Sequence, residues 1–260
     1  MDASMWIAKT GLDAQQKRMS VISNNLANVN TTAFKRDRAA FEDALYQNLR
    51  QPGAQVAANE QSPTGLMLGT GVRLVSTEKT HTQGSLVTTN NALDLAIQGE
   101  GFFQIAQPDG TIAYTRDGNF KISSTGQVFT TNGALLQPAI TVPANTLNIS
   151  IGRDGIVSAE VTGGGLQQIG QLQIARFVNP AGLQAMGQNL LKETQASGAP
   201  QIGAPGQAGA GQLQQGALEA SNVNVVEEMV NMIETQRAYE INSKAISAVD
   251  GMLRYLNNNM

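Results

Sequence analysis

The chain has 260 residues, of which 41% are apolar, only 5% aromatic and 14% charged, with a net charge of −3. That balance, without a basic run, argues against nucleic acid as a partner, and the absence of cysteine excludes disulfides and thiolate metal sites. No stretch approaches the roughly 20 apolar residues that span a bilayer, and Met1–Lys9 does not read as a cleavable secretory signal.

Pro52 is the first proline and Pro205 the last, Gly11 is the only glycine before Gly53, and Gly251 is the only one after Gly216. Helix breakers are therefore confined to the middle of the chain. Two helix-compatible ends can meet as one paired stalk, an arrangement suited to assembly. Residues from about 4 to 30 read as the first helix. Met5, Leu12, Met19 and Leu26 repeat every seven residues, and Ile22 and Val29 hold the second heptad position, a pattern that predicts packing against another helix. The polar run Asn24–Thr32 ends it, because Asn and Thr side chains compete for backbone hydrogen bonds.

A Pro- and Gln-bearing stretch follows, Arg50–Gln55 and then Gln61–Gly65. Beyond it the apolar period changes to two, in Val72–Val75, Leu93–Ile97, Leu147–Ile151 and Gln171–Ile174. Asp109-Gly110, Asp117-Gly118, Asn132-Gly133 and Asp154-Gly155 punctuate it with residues that tolerate positive φ, and short strands with such turns predict an antiparallel β region. Residues 196–216 are almost all Ala, Gly, Gln, Pro and Ser, a composition that does not fold alone. The last helix is expected to begin near Ser221-Asn222, with Glu227 and Glu228 favouring its positive end. Its seam reads Val225, Met229, Met232, Tyr239, Ile246 and Leu253, with Val249 and Leu256 on the companion position and Gln236 and Ser243 as interruptions. About 35 residues of helix span about 50 Å.

The chemistry-bearing residues do not form a catalytic constellation. His81 is the only histidine, so a triad or zinc site would lack partners, and a surface or turn position is expected for it. Asp109, Asp117 and Asp154 each precede glycine and read as turn residues. Gly99-Glu100-Gly101 lacks the third glycine of a dinucleotide loop and reads as a bend before a strand. Gly163-Gly164-Gly165 reads as a flexible turn. The methionines at 5, 19, 229 and 232 follow the heptad and read as helix seam. No enzyme activity, cofactor, metal or catalytic residue is expected.

Two terminal stretches resemble signatures of the bacterial flagellar axial proteins of rod and hook. The first is Asn24-Asn25-Leu26-Ala27-Asn28-Val29-Asn30-Thr31-Thr32-Ala33-Phe34-Lys35. The second runs from Glu219 through Asn222, Asn224 and Val230 to Gln236-Arg237-Ala238-Tyr239-Glu240. Leu95–Phe103 and Tyr114–Phe120 also fit, so the resemblance covers essentially the whole chain. Gly65–Val72, after the Pro/Gln-rich stretch, is similar to the distal-rod branch. Ala33 stands where the family commonly has glycine.

The resemblance implies an α+β fold. Residues 1–33 and 221–260 would be paired helices of an inner tube, like a coiled coil. Residues 66–192 would form a β-rich outer domain, joined by an extended, partly helical linker at 34–65 and a return linker at 193–220. It implies helical self-assembly into a hollow, rigid shaft that carries torque across the periplasm in the basal body and passes exported subunits. The implied partners are further copies, proximal rod proteins, the hook protein, the peptidoglycan and outer-membrane rings, a rod-capping protein and the flagellar type III export apparatus. The stretch at 50–65 is expected to wedge between neighbours. Another rod or short hook-type paralogue is the near alternative. A stalked β-domain that binds cell-wall carbohydrate is the distant one.

Overall fold

A computed structural model describes residues 3–51, 53, 55–57, 60–61 and 64–258. Two helices, one near each end of the chain, pack together, and the region between them is antiparallel β. The chain divides into two compact units, one made of residues 1–27, 37–78 and 224–260, the other of 28–36 and 79–223.

In the first unit, helix α1 spans Ala3–Ala27 and helix α2 spans Val225–Asn258. α1 ends three residues earlier than its apolar spacing predicts. The Thr31 backbone N–H turns back to the Asn28 carbonyl at 3.1 Å and the Thr31 hydroxyl to Asn28 Oδ1 at 3.1 Å, so Asn and Thr take over the hydrogen bonds that would continue it. α2 also starts later than expected. Its cap is Asn224, whose Oδ1 accepts the backbone N–H groups of Val226 at 3.1 Å and Glu227 at 3.4 Å, satisfying donors that a helix start leaves open.

The helices run antiparallel. Asn25 Nδ2 lies 3.3 Å from Glu228 Oε2, and a Cβ added to Gly11 would lie 3.2 Å from Asn242 Nδ2. Fourteen residues back along α1 thus match fourteen forward along α2. The described residues between 37 and 78 include strands that pair as β ribbon. Asp37–Asp43 pairs with Val72–Lys79, and Tyr46–Arg50 pairs antiparallel with Leu66–Gly69. The ribbon rests on α1 where Gly71 meets Thr10: a Cβ there would run into the Thr10 hydroxyl.

The second unit is built on a nine-stranded antiparallel sheet with Phe102–Ala106 at its centre, paired with Ile112–Thr115, Leu135–Gln137 and Ile174–Arg176. Side-chain alternation sends Phe103 and Ile105 to one face, into a core with Leu95, Ile97, Phe120, Leu136, Leu172, Ile174 and Leu213. Phe102 points to the other face, with Tyr114 and Phe177, as the period of two requires. A separate three-stranded sheet contains Thr146–Ile151, Ile156–Val161 and Gly165–Gln171.

Two local readings differ from expectation. Gly110, Gly133 and Gly155 adopt positive φ in their turns, but Gly118 does not; it is glycine because a Cβ would run into the Leu95 carbonyl. The Gly/Gln-rich return is not merely extended: Gln212–Gln215 pairs with Leu95–Gln98 and Ala217–Glu219 with Leu86–Thr88. One apolar side chain, Leu213 at 2% exposure, anchors the first of these strands in the core, which composition alone does not reveal.

Candidate functional site

The sequence signatures mark a junction in the β unit. Glu219, in strand Ala217–Glu219, has a fully buried side chain between two cations. Lys35 Nζ is 2.6 Å from Oε1 and Arg116 Nε is 2.8 Å from Oε2. The Gly84 backbone N–H also donates to Oε1 at 2.9 Å. Lys35 Nζ reaches the Thr82 carbonyl at 2.7 Å. Arg116 spreads its other donors over three carbonyls, Gly101 at 3.0 Å, Ile97 at 3.2 Å and Gly99 at 2.8 Å. This gives the Gly99-Glu100-Gly101 bend a structural purpose. The bend turns carbonyls toward a guanidinium, whose forked donors suit such convergence.

Burial alone would raise Glu219, but the charges of Arg116 and Lys35, with hydrogen bonds from Lys35 and Gly84, outweigh it and hold the carboxyl below its usual range. Lys35 is lowered as well, because desolvation, helped by repulsion from Arg116, exceeds what one shared carboxylate returns. Removing the acid from such a site leaves buried charge uncompensated, at a cost of about 3–5 kcal/mol. The arrangement is therefore a clamp, in which three charges from the N-terminal, central and C-terminal signatures close on one another.

Asn222 reinforces it. Its Oδ1 accepts the Arg36 backbone N–H at 2.7 Å, and its Nδ2 donates to the Thr80 carbonyl at 2.8 Å. The side-chain amide thus replaces a backbone pair. Phe34 is buried under Lys79, whose Nζ sits 5.1 Å from the ring centroid. Asn189 Nδ2 donates to the Thr32 carbonyl at 3.0 Å. Ala33 between them has φ +58° and is buried, while its N–H donates to the Glu219 carbonyl at 2.8 Å. This left-handed backbone explains why glycine suits the position.

His81 lies half-buried in the loop before Leu86–Thr88, with its ring edge-on to Phe102 at 5.6 Å between centroids. Desolvation, with the charges of Lys35, Arg116 and Lys79, pushes it down to about 4.

The other signature residues sit in the helical unit. Asn25 is 1% exposed, accepts the Asp37 N–H at 2.8 Å and donates to the Asp37 carbonyl at 2.9 Å. Asn24 reaches the Asp37 carboxylate at 3.1 Å. Ala27, Gln236 and Arg237 are exposed, as is Asn30 in the β unit's N-terminal strap.

Among the seam residues, Ile22 is buried, and Met5, Leu12, Met19, Leu26, Val29, Val225, Met232, Ile246 and Val249 are half-buried. Met229 and Tyr239 are exposed; the side chains of Leu253 and Leu256 lie outside the described residues. The buried side chains among the described residues of α2 are polar ones that the apolar pattern passes over, Glu228 and Thr235. Lys35, Arg116 and Glu219 lie inside the resembling stretches, but nothing in their spacing signals that they meet.

Facing away from Glu228, α2 carries Val226, Met229, Val230 and Ile233, all at least half exposed. Their i, i+3, i+4, i+7 spacing makes one apolar strip. It is a contiguous exposed apolar surface on α2.

Comparison with known proteins agrees along the chain. Residues 5–35 match the flagella basal body rod protein family, residues 96–159 the flagellar hook protein FlgE/F/G D1 domain, and residues 214–259 the flagellar basal body rod FlgEFG protein C-terminal family. The chain is 56% identical to the flagellar basal-body rod protein FlgG of Buchnera aphidicola, over 98% of this chain and 99% of that one. It is 47% identical to the protein of that name from Borreliella burgdorferi, over 99% and 98%. It is 37% identical to the one from Bacillus subtilis, over 98% of each.

Replacing Ala33 by glycine is expected to stabilise the chain by about 1 kcal/mol, since the left-handed conformation strains a Cβ; thermal unfolding followed by circular dichroism reads it, and a lower melting temperature would contradict the strain argument. The histidine gives a pH signature. Between its ordinary 6.5 and about 4, the unfolded chain binds a proton that folded His81 refuses, so stability falls as pH drops through that window, by about 2–3 kcal/mol. Asp117, raised by burial, acts in the opposite sense at the acid end, so the comparison is with His81→Asn. The variant should show a flatter loss between pH 6.5 and 4 in urea titrations, and an unchanged slope would remove His81 from the account.

Proposed function

The chain belongs to the flagellar basal-body rod protein family, a structural component of the bacterial flagellar basal body and not an enzyme, and from that premise we propose that it builds the distal rod. Copies stack helically, with α1 and α2 as a coiled-coil-like stalk lining a hollow shaft. The shaft carries torque across the periplasm to the hook. It takes proximal rod proteins below, the hook protein above and the ring proteins around it. A rod-capping protein assists assembly, and the type III export apparatus delivers each copy.

The observation that carries this reading is the apolar strip on α2, Val226, Met229, Val230 and Ile233, exposed on a helix whose opposite side is already packed. In a polymer that strip is covered by the next copy. The relatives' name, flagellar basal-body rod protein, supports the setting, and the Gly65–Val72 stretch supports the distal branch. The exposed ribbon Tyr46–Arg50 with Leu66–Gly69 leads into the stretch at 50–65, which on this reading wedges between neighbours and resists bending.

Charge in the strip tests the first part. Each buried Val or Ile contributes about 1.5–3 kcal/mol, so Ile233→Asp should raise the critical concentration for assembly about tenfold or more while leaving the monomer's melting temperature unchanged. Sedimentation reads the polymer and swarming reads motility; normal values for both would reject the strip as an interface. Deleting residues 51–63 tests the wedge. Electron microscopy of basal bodies should show curved or irregular shafts, and straight, working rods after the deletion would refute it.

A further inference from the structure

We propose that a polar ladder on the facing sides of α1 and α2, Asn25 and Gly11 against Glu228, Thr235 and Asn242, fixes the register of the helix pair and keeps that pairing within one chain. The three α2 residues lie seven apart, on a position where a helix seam ordinarily carries apolar side chains. Yet Glu228 and Thr235 are each 1% exposed. Each rung is held in a different way. Glu228 accepts from Asn25, itself 1% exposed, and stands in the first turn of α2, where a negative charge is favoured by the helix dipole. The Thr235 hydroxyl bonds back to the Asn231 carbonyl at 2.6 Å. Asn242 fits against Gly11, the only glycine of α1. A glycine inside a helix costs about 1 kcal/mol relative to alanine, and here it makes room for one amide.

The ladder has one good alignment. A slip of one heptad, the smallest that keeps the apolar columns facing, separates Asn25 from Glu228 in either direction. It also moves Asn242 off Gly11, onto Arg18 or Ser4, which carry side chains where glycine has none. Helix geometry alone does not discriminate these registers, because a shift of seven residues returns nearly the same faces to one another. Polar groups at seam positions serve this purpose in helix pairs: they give up stability and specify alignment and partner. The outward strip of α2 has no such rungs from Val226 to Ile233 and accepts any apolar neighbour of suitable shape. The inner face therefore selects the chain's own α1, and the outer face remains for other copies. That last consequence rests on the assembly reading; the register does not.

The chain has no cysteine, so an engineered pair reports alone. Ser4→Cys with Val249→Cys continues the same alignment beyond the ladder. In the otherwise unaltered full-length chain, mild oxidation of dilute protein should give the disulfide within one chain. Adding Glu228→Leu, Thr235→Val and Asn242→Leu should lower the ratio of intramolecular to intermolecular disulfide about tenfold, with a melting temperature equal or higher. Glu228→Gln, which keeps an acceptor for Asn25, should retain the original ratio. If the triple variant fails to fold, Thr235→Val with Asn242→Leu keeps the Asn25–Glu228 pair and should give a smaller fall. An undiminished ratio in the folded ladder variant overturns the proposal, as does failure of the 4–249 disulfide to form within one chain of the parent pair. Sedimentation of the same samples reads assembly separately, so a chain that keeps its register but does not polymerise counts against the rod reading alone.

Discussion

One buried carboxylate holds the β unit's termini in place. Glu219 lies between Lys35 and Arg116, 184 and 103 residues away along the chain, and all three side chains are buried. Two cations share one acid, so the balance depends on the remaining hydrogen bonds, to the carbonyls of Thr82, Gly101, Ile97 and Gly99 and from the Gly84 N–H. A half-satisfied network of this kind costs more than an apolar core would. Its completeness explains why the strap at 28–36 and the strand at 217–219 meet in one arrangement. Ala33 and Asn222 follow from it. The first takes a strained backbone so that its N–H reaches the Glu219 carbonyl, and the second stitches Arg36 to Thr80 beside the clamp.

The helical unit mixes polar groups into its buried positions. Asn25, Glu228 and Thr235 are buried alongside Ala14 and Ile22, with Asn242 against Gly11, while Val226, Met229, Val230 and Ile233 face outward. For a molecule that ends its folding as a monomer, such a strip is a liability. For one that belongs to a family of axial structural proteins, the same strip is surface held in reserve. The sparse aromatics, 5% of the chain, agree with this division, because large anchors concentrate binding energy at single contacts and a shaft needs many modest ones.

Much of this was legible in the residues. Confining proline and glycine to the middle gave both helices, and the period of two with Asp-Gly and Asn-Gly turns gave antiparallel β. What was hidden was hidden for physical reasons. An apolar-seam reading selects Met229 and Tyr239, since they extend the column of Val225 and Met232, and skips Glu228 and Thr235 because polar residues look like solvent positions. Val249 and Leu256 read as the companion column, but its earlier members, Asn242, Thr235 and Glu228, are polar and form the proposed rungs. His81, for which a surface or turn position is expected, is half-buried in its loop because long-range strand pairing brings Phe102 to its edge. The ion clamp had no local signature at all. Its members are ordinary single charges, and only the fold brings them together.

Gly118 and Gly11 show how far a single residue type can mislead. Both invite an explanation from backbone freedom, one in a turn dipeptide and one inside a helix. Neither needs it. Gly118 lacks positive φ and is small because the Leu95 carbonyl approaches it; Gly11 is small because Asn242 does. In each case the glycine reports a close neighbour distant in sequence. The one residue of the N-terminal signature that does need conformational freedom, at position 33, is an alanine. Its strain is tolerated because the Ala33 N–H is bonded to the carbonyl of the residue whose carboxylate closes the clamp. Relaxing the backbone there would draw that donor away from Glu219, so the cost at Ala33 and the order of the ion network are parts of the same constraint.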